Sequence, residues 1–283
     1  MISERIPHFS ATHDYQTINL SDTSFNYLLC GSGKYTLIFL DGGLGTSESW
    51  FQYITYFETS YQILTFAFPS NLKTNTQQVS AIYELINTLN ISNPIFIGGS
   101  YGGLLAQLFT KQYPQNVEGL VLISSGGMTD VTKKSFKKFI LHFRLSVLLA
   151  KVLPFRMVRK NIIKESIKNL TDGTNQESTK QITEAMHTLY ADMSKDTLIN
   201  MGHLLLDIFN SPTCNKADFQ QLTDKVLLLL PEKDFFPKES QKSLIRLMSE
   251  PDVIWIDGGA HGDPMFNTQY MDQIALFLAD KFK

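Results

Sequence analysis

A serine set among glycines, Gly98-Gly99-Ser100-Tyr101-Gly102, stands between an apolar run at 94–97 and a helical pattern at 101–113 that carries Leu104, Leu105, Leu108 and Phe109. A serine pinned at a strand-to-helix turn is held in a strained backbone conformation that lifts its hydroxyl out of the fold. The residues two before and two after it then crowd together and must be very small. Gly98 and Gly102 meet that requirement, and Gly103 lets the helix lie close to the sheet. Such a hydroxyl can attack a carbonyl once a base removes its proton, an acid fixes the base's tautomer, and N–H groups receive the negative oxygen.

Of the six histidines, His261 lies in a glycine-flanked loop, Asp257-Gly258-Gly259-Ala260-His261-Gly262, directly after the last strand-like run. That places it at the carboxyl edge of a sheet, where Ser100 also emerges. The acid is expected in the loop after 226–230, as Asp234 with Glu232 as alternative; Asp130, after the strand ending at Ile123, is a third option. Chain order, serine then acid then histidine, favours Asp234. The N–H of Tyr101, one residue past the serine, is one expected donor to the oxyanion. The second is expected from Gly42-Gly43-Leu44-Gly45, as Gly43 or next Leu44. A phosphate cradle is not expected there, because the lysine and Ser/Thr of a nucleotide loop are missing.

These residues need a scaffold of alternating elements. Apolar runs at 36–40, 63–68, 94–97, 120–123, 226–230 and 253–256 read as strands, and 15–21 and 26–30 alternate as an N-terminal antiparallel pair. Helical patterns fall between them at 49–57, 76–89, 101–113, 238–248 and 269–281. The expected class is α/β, a mostly parallel sheet covered on both faces. Between Ser124 and Asp224 the strand signal vanishes, which predicts a helical insertion over the carboxyl edge, acting as a lid. With 283 residues, 43% of them hydrophobic, the chain can bury a large core. A net charge of −2 argues against nucleic acid as a partner. No run reaches the ~18 apolar residues of a membrane span. The N-terminus lacks a signal-peptide pattern, and Cys30 and Cys214 read as free thiols, so the expectation is cytoplasmic.

Asp41-Gly42-Gly43, the pentapeptide around Ser100, Asp234 and His261 together resemble the α/β-hydrolase superfamily over nearly the whole chain. The resemblance implies an eight-stranded sheet and a Ser-His-Asp site that cleaves esters, thioesters or amides without metal or organic cofactor. It also implies a core at 1–127 and 216–283, with a helical cap at 128–215 between the sixth and seventh strands. Two departures stand out. Family members usually carry His-Gly where this chain has Asp41-Gly42, and an Asp-x-x-Gly-x-Gly-x-Ser stretch where it has Ala67-Phe68-Pro69-Ser70-Asn71. With Gly43-Leu44-Gly45-Thr46-Ser47-Glu48 and Leu153-Pro154-Phe155, they resemble the maspardin-type branch, some of whose members bind rather than catalyse. The glycines around Ser100 are also similar to those of proline iminopeptidases.

Charge is uneven along the cap. Residues 131–168 hold eleven lysines and arginines against one acid, Glu165, a local excess of +10 that leaves −12 to the rest of the chain. Phe136, Phe139, Ile140, Phe143, Val147 and Leu148 interleave with these charges at helical spacing. The segment reads either as a lid with a solvated outer face or as a device for attracting anionic lipid or an anionic acyl substrate. The expected activity is hydrolysis of a small carboxylic ester with an apolar acyl or aryl group. The alternatives are a non-catalytic binding protein, and C–C bond hydrolysis or aminopeptidase action at the same site.

Overall fold

Alternation along the central strands decides the architecture. In a computed structural model that describes residues 1–172 and 176–282, the strands are β1 (Gln16–Asn19), β2 (Ser24–Gly31), β3 (Thr36–Leu40), β4 (Gln62–Phe66), β5 (Pro94–Gly99), β6 (Gly119–Ile123), β7 (Val226–Lys233) and β8 (Asp252–Ala260). Ile38 and Leu40, Phe96, Leu120 and Leu122, and Leu228 and Leu230 enter one core. Their neighbours Leu37 and Phe39, Ile95 and Ile97, Val121, and Leu227 and Leu229 enter the other. Strands buried on both faces must be nearly all apolar, which is why these runs are legible in the sequence.

The eight strands form one sheet in the order β1-β2-β4-β3-β5-β6-β7-β8. β1, β2 and β4 pair antiparallel, and every pair from β4 through β8 is parallel. Twelve α-helices accompany the sheet among the described residues: α1 (Ile2–Thr12), α2 (Phe51–Phe57), α3 (Asn75–Thr88), α4 (Tyr101–Gln112), α5 (Asp130–Ser135), α6 (Lys137–Val152), α7 (Phe155–Thr171), α8 (Gln176–Leu189), α9 (Lys195–Asp207), α10 (Lys238–Leu247), α11 (Asp263–Phe266) and α12 (Thr268–Lys281). α3, α4 and α10 feed the first core, and α1, α2 and α12 the second. The sheet is thus the α/β sandwich expected, with α5–α9 lying between β6 and β7.

One element lies outside the sequence reading. Residues 2–12 form α1, burying Ile2, Ile6 and Phe9 at helical spacing, despite Pro7 inside the helix. Proline removes a backbone donor and clashes with the preceding turn, so it weighs against a helix in any propensity argument. Packing against α8 and the second core outweighs that cost.

The cap is tied to the core by buried polar groups. Asn75, fully buried at the start of α3, accepts the Tyr101 hydroxyl at 2.7 Å and donates through Nδ2 to the Leu204 carbonyl of α9 at 3.1 Å. Its backbone N–H meets Asp207 Oδ2 at 2.7 Å. Asn200 of α9 donates to the carbonyls of Pro69 and Leu72 at 3.3 and 3.1 Å. α6 lies against α9 at Gly202, where an added Cβ would sit 2.8 Å from Val147 Cγ2.

Candidate active site

The sharp turn after β5 is built by three backbone segments too close for side chains. Ser100 has φ 53° and ψ −115°, a conformation an L-residue adopts only at a cost on the order of 1–3 kcal/mol. An added Cβ on Gly98 would lie 2.6 Å from the Gly102 carbonyl oxygen, and one on Gly102 only 2.0 Å from that of Leu40. Glycine is therefore required on both sides of Ser100. The turn is held by Ser100 N–H donating to the Ile123 carbonyl at 2.9 Å and by Ser125 Oγ donating to the Ser100 carbonyl at 2.9 Å.

Three strands, β5, β7 and β8, end at the same edge of the sheet here, with β6 between the first two. Ser100 follows β5, Asp234 follows β7 and His261 follows β8. His261 Nε2 lies 3.0 Å from Ser100 Oγ, and His261 Nδ1 lies 2.6 Å from Asp234 Oδ1. A carboxylate only accepts, so Nδ1 carries the proton and Nε2 presents its lone pair to the serine hydroxyl. The Asp234 side chain is fully buried, and Oδ1 also accepts the Phe236 N–H at 2.8 Å. Of the other two acids considered, Glu232 is exposed and accepts the Gly258 N–H at 3.0 Å, with Lys238 3.6 Å away. Those contacts hold its carboxyl below the usual range, the Gly258 bond most strongly. Asp130 is exposed at the start of α5. Neither touches His261.

Several further groups hold this arrangement without any mark in the sequence. Ser124, at φ 48°, donates through Oγ to the His261 carbonyl at 2.8 Å. The Tyr53 hydroxyl of α2 donates to the Pro264 carbonyl at 2.6 Å, fixing α11 just beyond β8. Phe235 and Phe236 place their rings 6.1 Å from the imidazole and shield it on the cap side. Ser124, Phe235 and Phe236 lie in loops with no periodicity, and no sequence signal marks them.

Asp41, the residue that departs from the family pattern, organises the glycine loop after β3. Its buried carboxylate accepts the Thr46 N–H at 2.8 Å, the Ser49 hydroxyl and the Gly42 N–H. The chain from 42 to 46 is wrapped around it, with Gly45 at φ +70°. Gly43 and Leu44 line the cavity beside Ser100. Tyr101 is the first residue of α4, so its N–H is among those with no acceptor inside the helix; its side chain points away, to Asn75.

Burial pushes the Asp41 carboxyl up to about 6, against the pull of its three hydrogen bonds, and Glu48 nearby adds to the rise. A folded pKa above the unfolded value means that the proton favours the fold. The stability linked to Asp41 is full below about pH 4 and is lost as pH rises through about 6. Asp41→Asn cannot ionise, so its melting temperature is expected to gain on the wild type between about pH 4 and pH 7 and to run parallel above. Melts across that range check this, and a difference that does not vary with pH would refute it.

Above the three strand ends lies a cavity of about 690 Å³, roofed by α6 to α9. Its size suits a small-molecule ligand. Leu104, Phe143, Val147, Met186 and Leu205 represent its apolar lining; the carboxylates among the lining residues are Asp41 and Glu165, and none of those residues is a lysine or arginine. A group of three ligating side chains, His13, Cys30 and Glu58, comes together elsewhere, with ligand atoms within 4.8 Å of one another. His13 Nε2 already faces Glu58 at 3.0 Å, and none of the three lines the cavity.

A family model described as alpha/beta hydrolase fold matches residues 35–147. The enol-lactonase of Burkholderia xenovorans LB400 superposes with a TM-score of 0.75 at 11% identity, covering 93% of this chain and all of that one. With this sheet order and the cap between β6 and β7, the chain is an α/β-hydrolase-fold protein. Among curated proteins, a proline iminopeptidase, PfmaB of Pestalotiopsis fici, is 20% identical over 269 residues, 86% of this chain and 92% of its own. The pimeloyl-[acyl-carrier protein] methyl ester esterase of Wigglesworthia glossinidia brevipalpis is 29% identical over 104 residues, 36% of this chain and 40% of that one. These two relatives are named for action on different bonds, one a peptidase and the other an ester hydrolase. Among the described residues no helix is long and apolar enough to cross a membrane.

Proposed function

We propose that the protein is a serine hydrolase that cleaves a carboxylic ester carrying an apolar acyl or aryl group, through an acyl-enzyme. The observation that carries this reading is the hydrogen-bonded chain from Asp234 through His261 to Ser100, at the floor of an apolar cavity. Ser100 Oγ attacks the ester carbon while His261 Nε2 takes its proton. Asp234 holds the imidazole in that tautomer and stabilises its charged form. The oxyanion is received by the N–H of Tyr101 and that of Gly43, with Leu44 as the alternative second donor. His261 returns the proton to the leaving alkoxide, and a water activated by His261 then releases the acid. No step calls on a metal or organic cofactor. Most of the lining surface is apolar, which fits an acyl or aryl group selected by shape.

A second reading, aminopeptidase action, is favoured by one observation: Glu165 is the cap's only carboxylate among the residues lining the cavity, and could hold a free amino terminus. A third, a binding protein that does not turn over, would leave Ser100 unreactive. A fluorophosphonate probe followed by intact mass separates these. One adduct is expected on the wild type and none on Ser100→Ala or His261→Ala; no adduct at any pH would overturn the hydrolase reading. Turnover of p-nitrophenyl esters in preference to amino-acyl arylamides would then select ester over peptide.

A further inference from the structure

Helix α6 is apolar on two opposite sides. Inward, Phe139, Ile140, Phe143 and Val147 line the cavity. Outward, Leu141, Leu145, Leu148 and Val152 are 72, 57, 59 and 78% exposed. Their spacings of four, three and four keep these four on a strip about 60° wide. Lys137, Arg144 and Lys151 run along one border of the strip and Lys138 lies on the other, all of them exposed. Beyond the helix end, Met157 is 58% exposed between exposed Arg156 and Lys160 of α7.

A lid needs its inner apolar face; the outer one does nothing for the cavity. A chain that stays alone in water rarely leaves a row of large apolar side chains exposed. Charge identifies what covers it. The segment 131–168 carries an excess of +10, and none of the residues lining the cavity is a lysine or arginine, so this charge serves the surface and not a ligand inside. A second copy placed symmetrically on the strip would set +10 against +10. An anionic lipid surface offers both an apolar layer and complementary charge.

We infer that α6 and the start of α7 form a docking face for an anionic bilayer, with the Leu141–Leu145–Leu148–Val152 strip sunk to the headgroup–acyl boundary and the basic borders among the phosphates. Docked this way, the roof of the cavity faces the membrane. The inference needs no catalysis and stands apart from the hydrolase reading.

The test is flotation of the full chain with vesicles of phosphatidylcholine alone, and with about one third phosphatidylglycerol, at ~0.05 and ~0.5 M salt. Partition onto the anionic vesicles is expected to exceed that onto the neutral ones at least about tenfold and to fall with salt. Leu145→Gln/Leu148→Gln, outside the cavity lining, is expected to lose at least about fivefold in vesicle binding. Lys137→Gln/Lys138→Gln/Lys151→Gln should lose as much, and Ser100→Ala should bind like the wild type. Equal or absent binding to both vesicle types overturns the inference. So does unchanged binding by the leucine variant, or a sedimentation shift from dimer to monomer in that variant without loss of vesicle binding.

Discussion

His261→Ala is expected to lower kcat/KM on a short-chain p-nitrophenyl ester by at least about 10⁴-fold, with Ser100→Ala falling as far, and KM nearly unchanged in both. That loss corresponds to about 5.5 kcal/mol of transition-state stabilisation. The reason is geometric. Among the described residues the base within reach of Ser100 Oγ is His261 Nε2, at 3.0 Å, and without it the hydroxyl keeps its proton during attack. Two groups acting as one unit give losses that do not add, so the double variant should be no worse than either single one. Loss in KM alone would mean that His261 binds substrate and does not move a proton. Thermal melts of each variant exclude a folding defect as the cause.

Asp234→Asn is expected to lose about 10³- to 10⁴-fold in kcat, whereas Glu232→Gln stays within about twofold. Asp234 accepts from His261 Nδ1 and from the Phe236 N–H at the same oxygen. An asparagine can keep the backbone bond, but its amide can turn an N–H toward Nδ1. The imidazole then places its own proton on Nε2, facing the serine, and can no longer take one. Glu232, only two residues away, is spent on Gly258 and Lys238. Equal losses in the two variants would remove Asp234 from the mechanism, and a collapsed melting temperature in Asp234→Asn would show a structural role at a fully buried side chain.

Much of the scaffold could be read before any coordinates, for reasons visible in particular residues. β3 and β6 are buried along their whole length, so nearly every position had to be apolar and the runs stood out. Ser100 and His261 were marked by neighbouring glycines: those beside Ser100 are demanded by backbone contacts as short as 2.0 Å, and Gly258 before His261 by its φ of +64°. The choice between Glu232 and Asp234 had no local signature. β7 continues to Lys233, with a register irregularity against β8 between Pro231 and Lys233, and that tertiary detail fixes where each acid lies. α1 was hidden by Pro7. The grip of Asp41 on Thr46 and Ser49 was hidden because a loop folding around a carboxylate has no period to detect.

The buried amides of Asn75 and Asn200 bear on how this fold can be recombined. By chain order α9 belongs to the inserted segment, yet the buried amide of Asn200 donates to Pro69 and Leu72, and the Leu204 carbonyl accepts from Asn75 at the start of α3, and through Asn75 α9 reaches the helix that begins after Ser100. A graft that exchanged residues 128–215 for the corresponding stretch of another protein of this fold would strand these amides and carbonyls inside an apolar interior, each without its partner. The transplantable module is smaller than the insertion. α6 and α7 can be traded to change what the cavity admits, whereas α9 has to travel with residues 69–75.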